Sequence, residues 1–176
     1  LLVPAFRAAS YLPRLAAAAQ AQHTPFSEWW CYDDASGDDT AATARQLGFR
    51  TIAGTANRGP SFARNQLAAA AGTEWLHFHD ADDLMAPDYL QCVLATVAPE
   101  VDVILCDSSW EWEGTSQRIL HLTYRQSEYE ADPLGYVLGH PVGVISALIR
   151  RRTFLAVRGF DESATCWEDA DLFVRL

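Results

Sequence analysis

Lysine is absent from this 176-residue chain, whose 13 basic residues are all arginine. That absence excludes the lysine of a phosphate-binding P-loop, a Schiff-base lysine and the lysine that partners the acidic pocket of receiver-type signalling domains. Cys31, Cys92, Cys106 and Cys166 lie far apart with no C-x-x-C between them, so neither a zinc ribbon nor a dithiol redox motif is written here. Free buried thiols in a cytoplasmic protein are the expected state of these cysteines. No apolar run approaches the ~18 residues needed to cross a bilayer, so no segment of this chain is expected to span a membrane. The expected location is the cytoplasm, with the inner face of the membrane as a peripheral alternative. Net positive charge is missing too. At −10, the chain is not expected to bind nucleic acid or an anionic lipid surface, and an anionic small ligand has to be met by a cation or by individual arginines.

A hydrophobic content of 49% is enough for one globular domain with a substantial core. The chain opens on "LLVPAF" and ends at Leu176 inside a helical pattern, as an excised or C-terminally incomplete domain would. Strand and helix alternate through the first half. Strands are expected at Leu1–Val3, broken by Pro4, then Glu28–Asp33, Arg50–Ala53, Glu74–His79 and "VDVILCDS". Between them fall a helix capped by Ser10, one over 40–47 capped by Asp38 or Asp39, one over 60–71 opened by Pro60, and "APDYLQCVLATVA". Short apolar strands alternating with helices imply a mixed, mainly parallel α/β sheet, Rossmann-like, with helices on both faces. From Ser109 the pattern changes to an antiparallel excursion about a Glu-Gly turn. A helix over 133–138, a strand "GVISALIR", a short helix "RTFLAV" and a last helix from Glu168 complete the reading.

Ligands of open parallel sheets sit beyond the carboxyl ends of the strands. Acids cluster there: Asp33 and Asp34 after the second strand, Asp80, Asp82 and Asp83 after the fourth, Asp107 after the fifth. Carboxylates at i and i+2 of an extended segment share a side, so Asp80 and Asp82 are candidates to face one divalent ion. Asp34 is a candidate acceptor for a nucleobase N–H, Phe6 for stacking on the base, and Arg64 for a phosphate or base contact. Each also has a plain structural reading: turn and cap chemistry for the aspartates, core packing for Phe6. Glu168, Asp169 and Asp171 in the first turn of the last helix suit its dipole, and a carboxylate held ionised there is also available as a base.

The chain resembles glycosyltransferase family 2, inverting enzymes of the GT-A fold. The motifs that carry the resemblance are Val3-Pro4-Ala5-Phe6-Arg7, "CYDDASGDDT", "NRGPSFARN", "DADDLMAPDYL", "RRRTFLAVRGFDE" and "EDADLFVRL", in the family's order. The resemblance implies that Pro4, Phe6, Asp34, Arg64 and Asp80 bind a nucleoside diphosphate sugar, with UDP the expected nucleotide. It implies Mn2+ or Mg2+ held by Asp82 and Asp80, Asp169 as general base with Glu168 beside it, and a hydroxyl acceptor. Residues 1–109 would then form the nucleotide-sugar half of one domain and 110–176 the acceptor half. Phe6 stands for the usual Tyr, Arg7 for Asn and Arg158 for the first Gly of the GGFDE stretch, and the QxxRW motif of processive members is absent. Two other readings stay open: a nucleotide-sugar-binding module without turnover, and a zinc hydrolase built on His77-x-His79. The second lacks two expected ligands, since Ala81 and Asp82 occupy their places.

Overall fold

The computed structural model describes every residue except Glu113, Ser116 and Pro141. Its elements run β1 (Leu2–Ala5), α1 (Leu12–Gln20), β2 (Trp30–Asp33), α2 (Thr40–Gln46), β3 (Arg50–Ala53), α3 (Pro60–Ala70), β4 (Trp75–Leu76) and α4 (Tyr89–Leu94). There follow β5 (Val103–Leu105), β6 (Ser108–Glu111), β7 (Arg118–Leu122), α5 (Gln126–Ala131), α6 (Pro133–Gly139), a 3-10 turn (Val144–Ser146), β8 (Ala147–Arg150), α7 (Arg151–Ala156) and α8 (Glu168–Arg175).

The strands form two three-stranded sheets, β1-β2-β3 and β4-β8-β5, and a parallel bridge from Leu2 to Phe78 joins β1 to the chain just after β4. The first sheet is parallel throughout, in the register Val3–Cys31 and Cys31–Thr51. In the second, β8 runs antiparallel to both neighbours and separates β4 from β5. Apolar runs carry no direction, so periodicity alone did not reveal this insertion.

Side chains alternate across the sheet with the period of two that a strand imposes. Leu2, Leu76, Phe78, Ala147 and Ile149 face a core closed by Leu67 of α3, Val137 of α6, Phe154 of α7 and Leu172 of α8. Val3, Ala5 and Cys31 face the opposite core, with Leu12 and Leu15 of α1 and Ala44 of α2, and Leu148 meets Leu90 and Val93 of α4 on that side. Helices therefore cover both faces, as expected.

Several local expectations change. Pro4 does not break the first strand but lies inside β1. The Leu2 N–H donates to His77 O, so Pro4, two residues on, would point its missing N–H to that same edge. There the partner chain has already turned away after His79, which accounts for the proline being tolerated. Ser10 does not cap α1; its N-cap is Tyr11, with no side-chain cap bond. At α2 the N-cap is Asp39, but it is Asp38 Oδ1 that accepts from the Thr40 amide at 3.0 Å. The excursion is the antiparallel hairpin β6–β7, bulged at Trp110/Glu111; of its expected Glu-Gly turn, Glu113 lies outside the described residues. Helix α5 was not foreseen, because "QSEYEA" has no apolar stripe and buries no residue. All four cysteines are free, yet only Cys31 is buried; Cys92 and Cys166 are exposed.

Candidate active site

Beyond the carboxyl ends of β1, β2 and β4 lies a cleft of about 460 Å³, and Pro4, Phe6, Asp34, Arg64, Asp80, Asp82 and Glu168 all line it. These residues come from separate parts of the sequence, and the ends of the strands bring them together.

Arg64 organises the cleft. Only 4% exposed, it reaches from α3 to donate from Nη2 to Asp80 Oδ1 at 2.9 Å and from Nη1 to Glu168 Oε1 at 3.2 Å. Asp169 Oδ1 lies 3.7 Å from the same Nη1. A buried guanidinium with planar donors can serve several carboxylates at once, where an ammonium would act as a point charge. One residue thus ties the turn after β4 to the start of α8. The arginine expected at a phosphate or base is directed instead at carboxylates, on the wall of the same cleft.

Asp34, 3% exposed, accepts from the Arg58 amide at 2.9 Å and from the Gly59 amide at 2.7 Å. Gly59 is the N-cap of α3 and has φ +87°, a conformation glycine adopts without strain. Asp34 therefore anchors the loop that launches the helix carrying Arg64. A carboxylate offers about four acceptor sites, so these amides do not exhaust it. Phe6, half-exposed, forms one wall, with the Arg7 guanidinium 5.1 Å from its ring centroid.

Asp80–Asp83 is not the extended segment on which the i, i+2 argument relied. The Asp83 amide donates to Asp80 O at 3.2 Å, which closes a turn. Asp80 and Asp82 still share the cleft because the turn curls around buried Ala81. Asp82 is exposed on the rim, whereas one Asp80 oxygen is held by Arg64. An all-oxygen donor set suits a hard cation, and Mg2+-type ions keep waters and substrate phosphates in their shell, so one or two carboxylates suffice. Among the described residues no three His, Cys, Asp or Glu side chains gather as a protein-only cage. The pair therefore fits an ion shared with a diphosphate.

Of the two acids opening α8, Glu168 lines the cleft and Asp169 sits behind it. Asp169 Oδ2 accepts from the Val144 amide at 2.9 Å, and its buried Oδ1 has no hydrogen-bond partner. Burial pushes the Asp169 carboxyl above its usual range; Glu168 and Asp80 add to the shift, while Arg64 and the Val144 amide oppose it. Trp167, immediately before, has φ 61°, uncommon for so bulky a residue.

Some residues at the site went unrecognised in the sequence. Asn65 Nδ2 donates to Phe160 O at 3.0 Å and its Oδ1 accepts from the Phe160 amide at 2.9 Å, clamping α3 to the loop before α8. An asparagine inside a helix is a weak helix former, which is the signal that marks it. Tyr11 lines the cleft too, and nothing in its local pattern announced that. Conversely, His77 and His79 are buried, and His77 Nε2 lies 3.2 Å from His79 Nδ1. The nitrogens a shared zinc would need are turned on each other, which removes the zinc-hydrolase reading. The two histidines form one buried hydrogen-bonded pair instead.

Two departures from the family pattern fall on left-handed backbone: Arg7 at φ 53° and Arg158 at φ 66°. Asparagine and glycine, the family's residues at these places, adopt that conformation more readily than arginine.

Comparison with known proteins agrees with this architecture. The Bacillus subtilis (strain 168) protein EpsH, a glycosyltransferase by its name, is 32% identical over 84 residues, covering 48% of this chain and 24% of EpsH. S. aureus TarS 1-349 in complex with UDP-GlcNAc superposes with a TM-score of 0.75 at 19% identity, over 99% of this chain and 51% of that one. The mannosyltransferase PcManGT from Pyrobaculum calidifontis, in complex with GDP-Man and Mn2+, gives 0.72 at 19%, over 97% and 49%. The chain thus spans about half of these structures and a quarter of EpsH. The profile of Glycosyl transferase family 2 matches residues 1–154. With its mixed sheet, strand-end acids and GT-A neighbours, the chain belongs to glycosyl transferase family 2.

Proposed function

We propose that this chain is the GT-A domain of a metal-dependent, inverting glycosyltransferase that moves a sugar from a UDP sugar to an acceptor hydroxyl. Residues 1–109 bind the donor; 110–176 supply the base and the acceptor side. The observation that carries the reading is the Arg64 clamp, which holds Asp80 and the Glu168–Asp169 helix start to one cleft with Phe6 and Asp34. Neighbours of the same fold bind UDP-GlcNAc and, with Mn2+, GDP-Man, which supports a nucleotide-sugar donor here.

In this reading Phe6 stacks on the base, Pro4 and Arg64 shape the walls beside it, and Asp34 accepts a base N–H through a lone pair its amides leave over. Asp82, with Asp80 beside it, would hold Mn2+ or Mg2+, which when bound neutralises the charge developing on the diphosphate. Asp169 takes the proton of the acceptor hydroxyl. The acceptor oxygen forms its bond to the anomeric carbon as the carbon–phosphate-oxygen bond breaks on the opposite face, and the electron pair leaves with the diphosphate. Val144 orients the base through Oδ2 and leaves Oδ1 for the proton.

A thermal-shift comparison of UDP, GDP, CDP and ADP with and without Mn2+ tests donor binding. Stabilisation by UDP that needs Mn2+ and is lost in Asp82→Ala is expected. Stabilisation by another nucleotide alone would reject the base assignment, and an undiminished UDP effect in Asp82→Ala would reject the metal ligand.

A further inference from the structure

Asp80 is claimed from two sides. In the proposed function it stands beside Asp82 at the divalent ion, and in the structure its Oδ1 accepts from Arg64 Nη2 at 2.9 Å. The guanidinium that holds it is 4% exposed and is shared with the start of α8, where Nη1 donates to Glu168 Oε1 at 3.2 Å. Asp169 Oδ1 stands 3.7 Å from that same Nη1, within reach of an ion pair but too far for a hydrogen bond. Arg64 therefore bonds to the metal-side turn and to Glu168, and stops short of the base.

Both residues across that gap have bonding capacity in reserve. Asp169 Oδ1 is buried without a hydrogen-bond partner, and so is Arg64 Nε. Leaving such a group unsatisfied is unfavourable, so a shift that brings the guanidinium onto Oδ1 is favoured locally. What holds the guanidinium back is its charge-assisted bond to Asp80, a stronger tie than an ordinary hydrogen bond. A divalent ion on the Asp80–Asp82 turn changes that balance. It draws on the carboxylate charge that Arg64 shares, and it repels the guanidinium because like charges beside one carboxylate oppose each other. Asp169 is the nearby acceptor that remains unused.

We infer that Arg64 is a positioning residue that couples the metal turn to the base: a cation at Asp80 and Asp82 loosens the Arg64–Asp80 bond and draws Arg64 onto Asp169 Oδ1. The inference rests on the proposed function and adds an order to it. Asp169 becomes fixed at both oxygens, by the Val144 amide and by Arg64, once the ion is in place. A carboxylate oxygen has two lone pairs, so pairing with Arg64 still leaves one for the proton of the acceptor hydroxyl. Coupling of this kind is reciprocal: if the ion strengthens the Arg64–Asp169 contact, Asp169 strengthens binding of the ion to the same extent. The role needs the planar fork, because an ammonium in its place carries the charge without reaching both acids.

A double-mutant cycle on the affinity for Mn2+ tests the coupling. The ion is titrated calorimetrically, with UDP present and UDP alone as the blank, into the wild type, Asp169→Asn, Arg64→Lys and the double variant. Asp169→Asn is expected to weaken Mn2+ binding about tenfold, within the usual range for coupled sites, although Asp169 is no ligand of the ion. In the Arg64→Lys background, which keeps the charge and loses the fork, the same change should cost no more than about twofold, as uncoupled sites do. Equal losses in both backgrounds would show a through-space field and overturn the inference, as would no loss in either. Spectra of the 15N-arginine-labelled chain read the movement directly and need no substitution at Arg64. Adding diamagnetic Mg2+ to the chain with UDP should shift the Arg64 Nε–H resonance, and the shift should shrink in Asp169→Asn. A resonance indifferent to Mg2+, or moved equally in both proteins, overturns the inference. Absence of Mn2+ binding in the wild type, or binding unchanged in Asp82→Ala, rejects the metal site of the proposed function and the inference with it. An intact metal site with equal losses rejects the coupling alone.

Discussion

Arg64 Nη2 donates to Asp80 Oδ1 across 2.9 Å, and this bond joins helix α3 to the acidic turn after β4. The other arm of the guanidinium reaches Glu168 and Asp169, so removing it would leave several carboxylates in a partly buried cleft without a counter-charge. Arg64→Met is expected to destabilise the fold by about 3–5 kcal/mol, the range for breaking a buried ion pair from one side. Arg64→Lys should recover only part of this, because an ammonium does not reproduce the planar fork. Urea unfolding of the three proteins measures both effects.

Asp34 predicts a more local loss. Asp34→Ala strips the Arg58 and Gly59 amides of their acceptor, with an expected cost of about 1–3 kcal/mol. Amide exchange should quicken around the start of α3 while the β4-β8-β5 sheet stays protected. Uniform exchange across the chain would show that Asp34 supports the whole fold instead of this loop.

The positive φ of Arg158, 66°, predicts a gain. Left-handed backbone costs a residue with a Cβ about 1–2 kcal/mol, partly offset by the greater freedom glycine has when unfolded. Arg158→Gly should therefore raise stability by about 1 kcal/mol, seen as a higher urea midpoint at unchanged slope. Gly159→Ala should do the opposite, since a Cβ there would stand 2.4 Å from Asn65 Oδ1 and 3.0 Å from the Phe154 ring.

Acid stability follows from His77, whose pKa burial holds well below 6.5, with the neighbouring His79 adding to the effect. The unfolded chain takes up this proton near pH 6.5 and the folded chain does not. The stability is thus fully present above that pH and falls as the pH drops below it. Midpoints measured between pH 7.5 and 5 should show this decline, and it should be shallower in His77→Gln.

The sequence placed most elements within a few residues, because strand period, proline at N1 and glycine at φ > 0 are local signals. It also marked the acids of the cleft, since Asp34, Asp80 and Asp82 each end a recognisable strand. What it could not show was direction and partnership. The antiparallel entry of β8 between β4 and β5 depends on chain-distant packing. So does the destination of Arg64, which local pattern offered to a phosphate and the fold delivers to Asp80 and Glu168. His77 and His79 show the same limit. Alternation on one strand put them on one face, but only the approach of Tyr89 and Ala147 makes them a hydrogen-bonded chain.

The proposed function turns on transfer of a glycosyl group in this cleft with Asp169 as base. Turnover of a radiolabelled UDP sugar with Mn2+, in the wild type, Asp169→Asn and Glu168→Gln, tests it most directly. General-base catalysis contributes about 10²–10⁴-fold, so Asp169→Asn should lose at least 100-fold in turnover while binding UDP as the wild type does. Glu168→Gln should retain more activity than Asp169→Asn. Wild-type turnover in Asp169→Asn, with the loss falling on Glu168→Gln instead, would contradict the assignment of Asp169 as base.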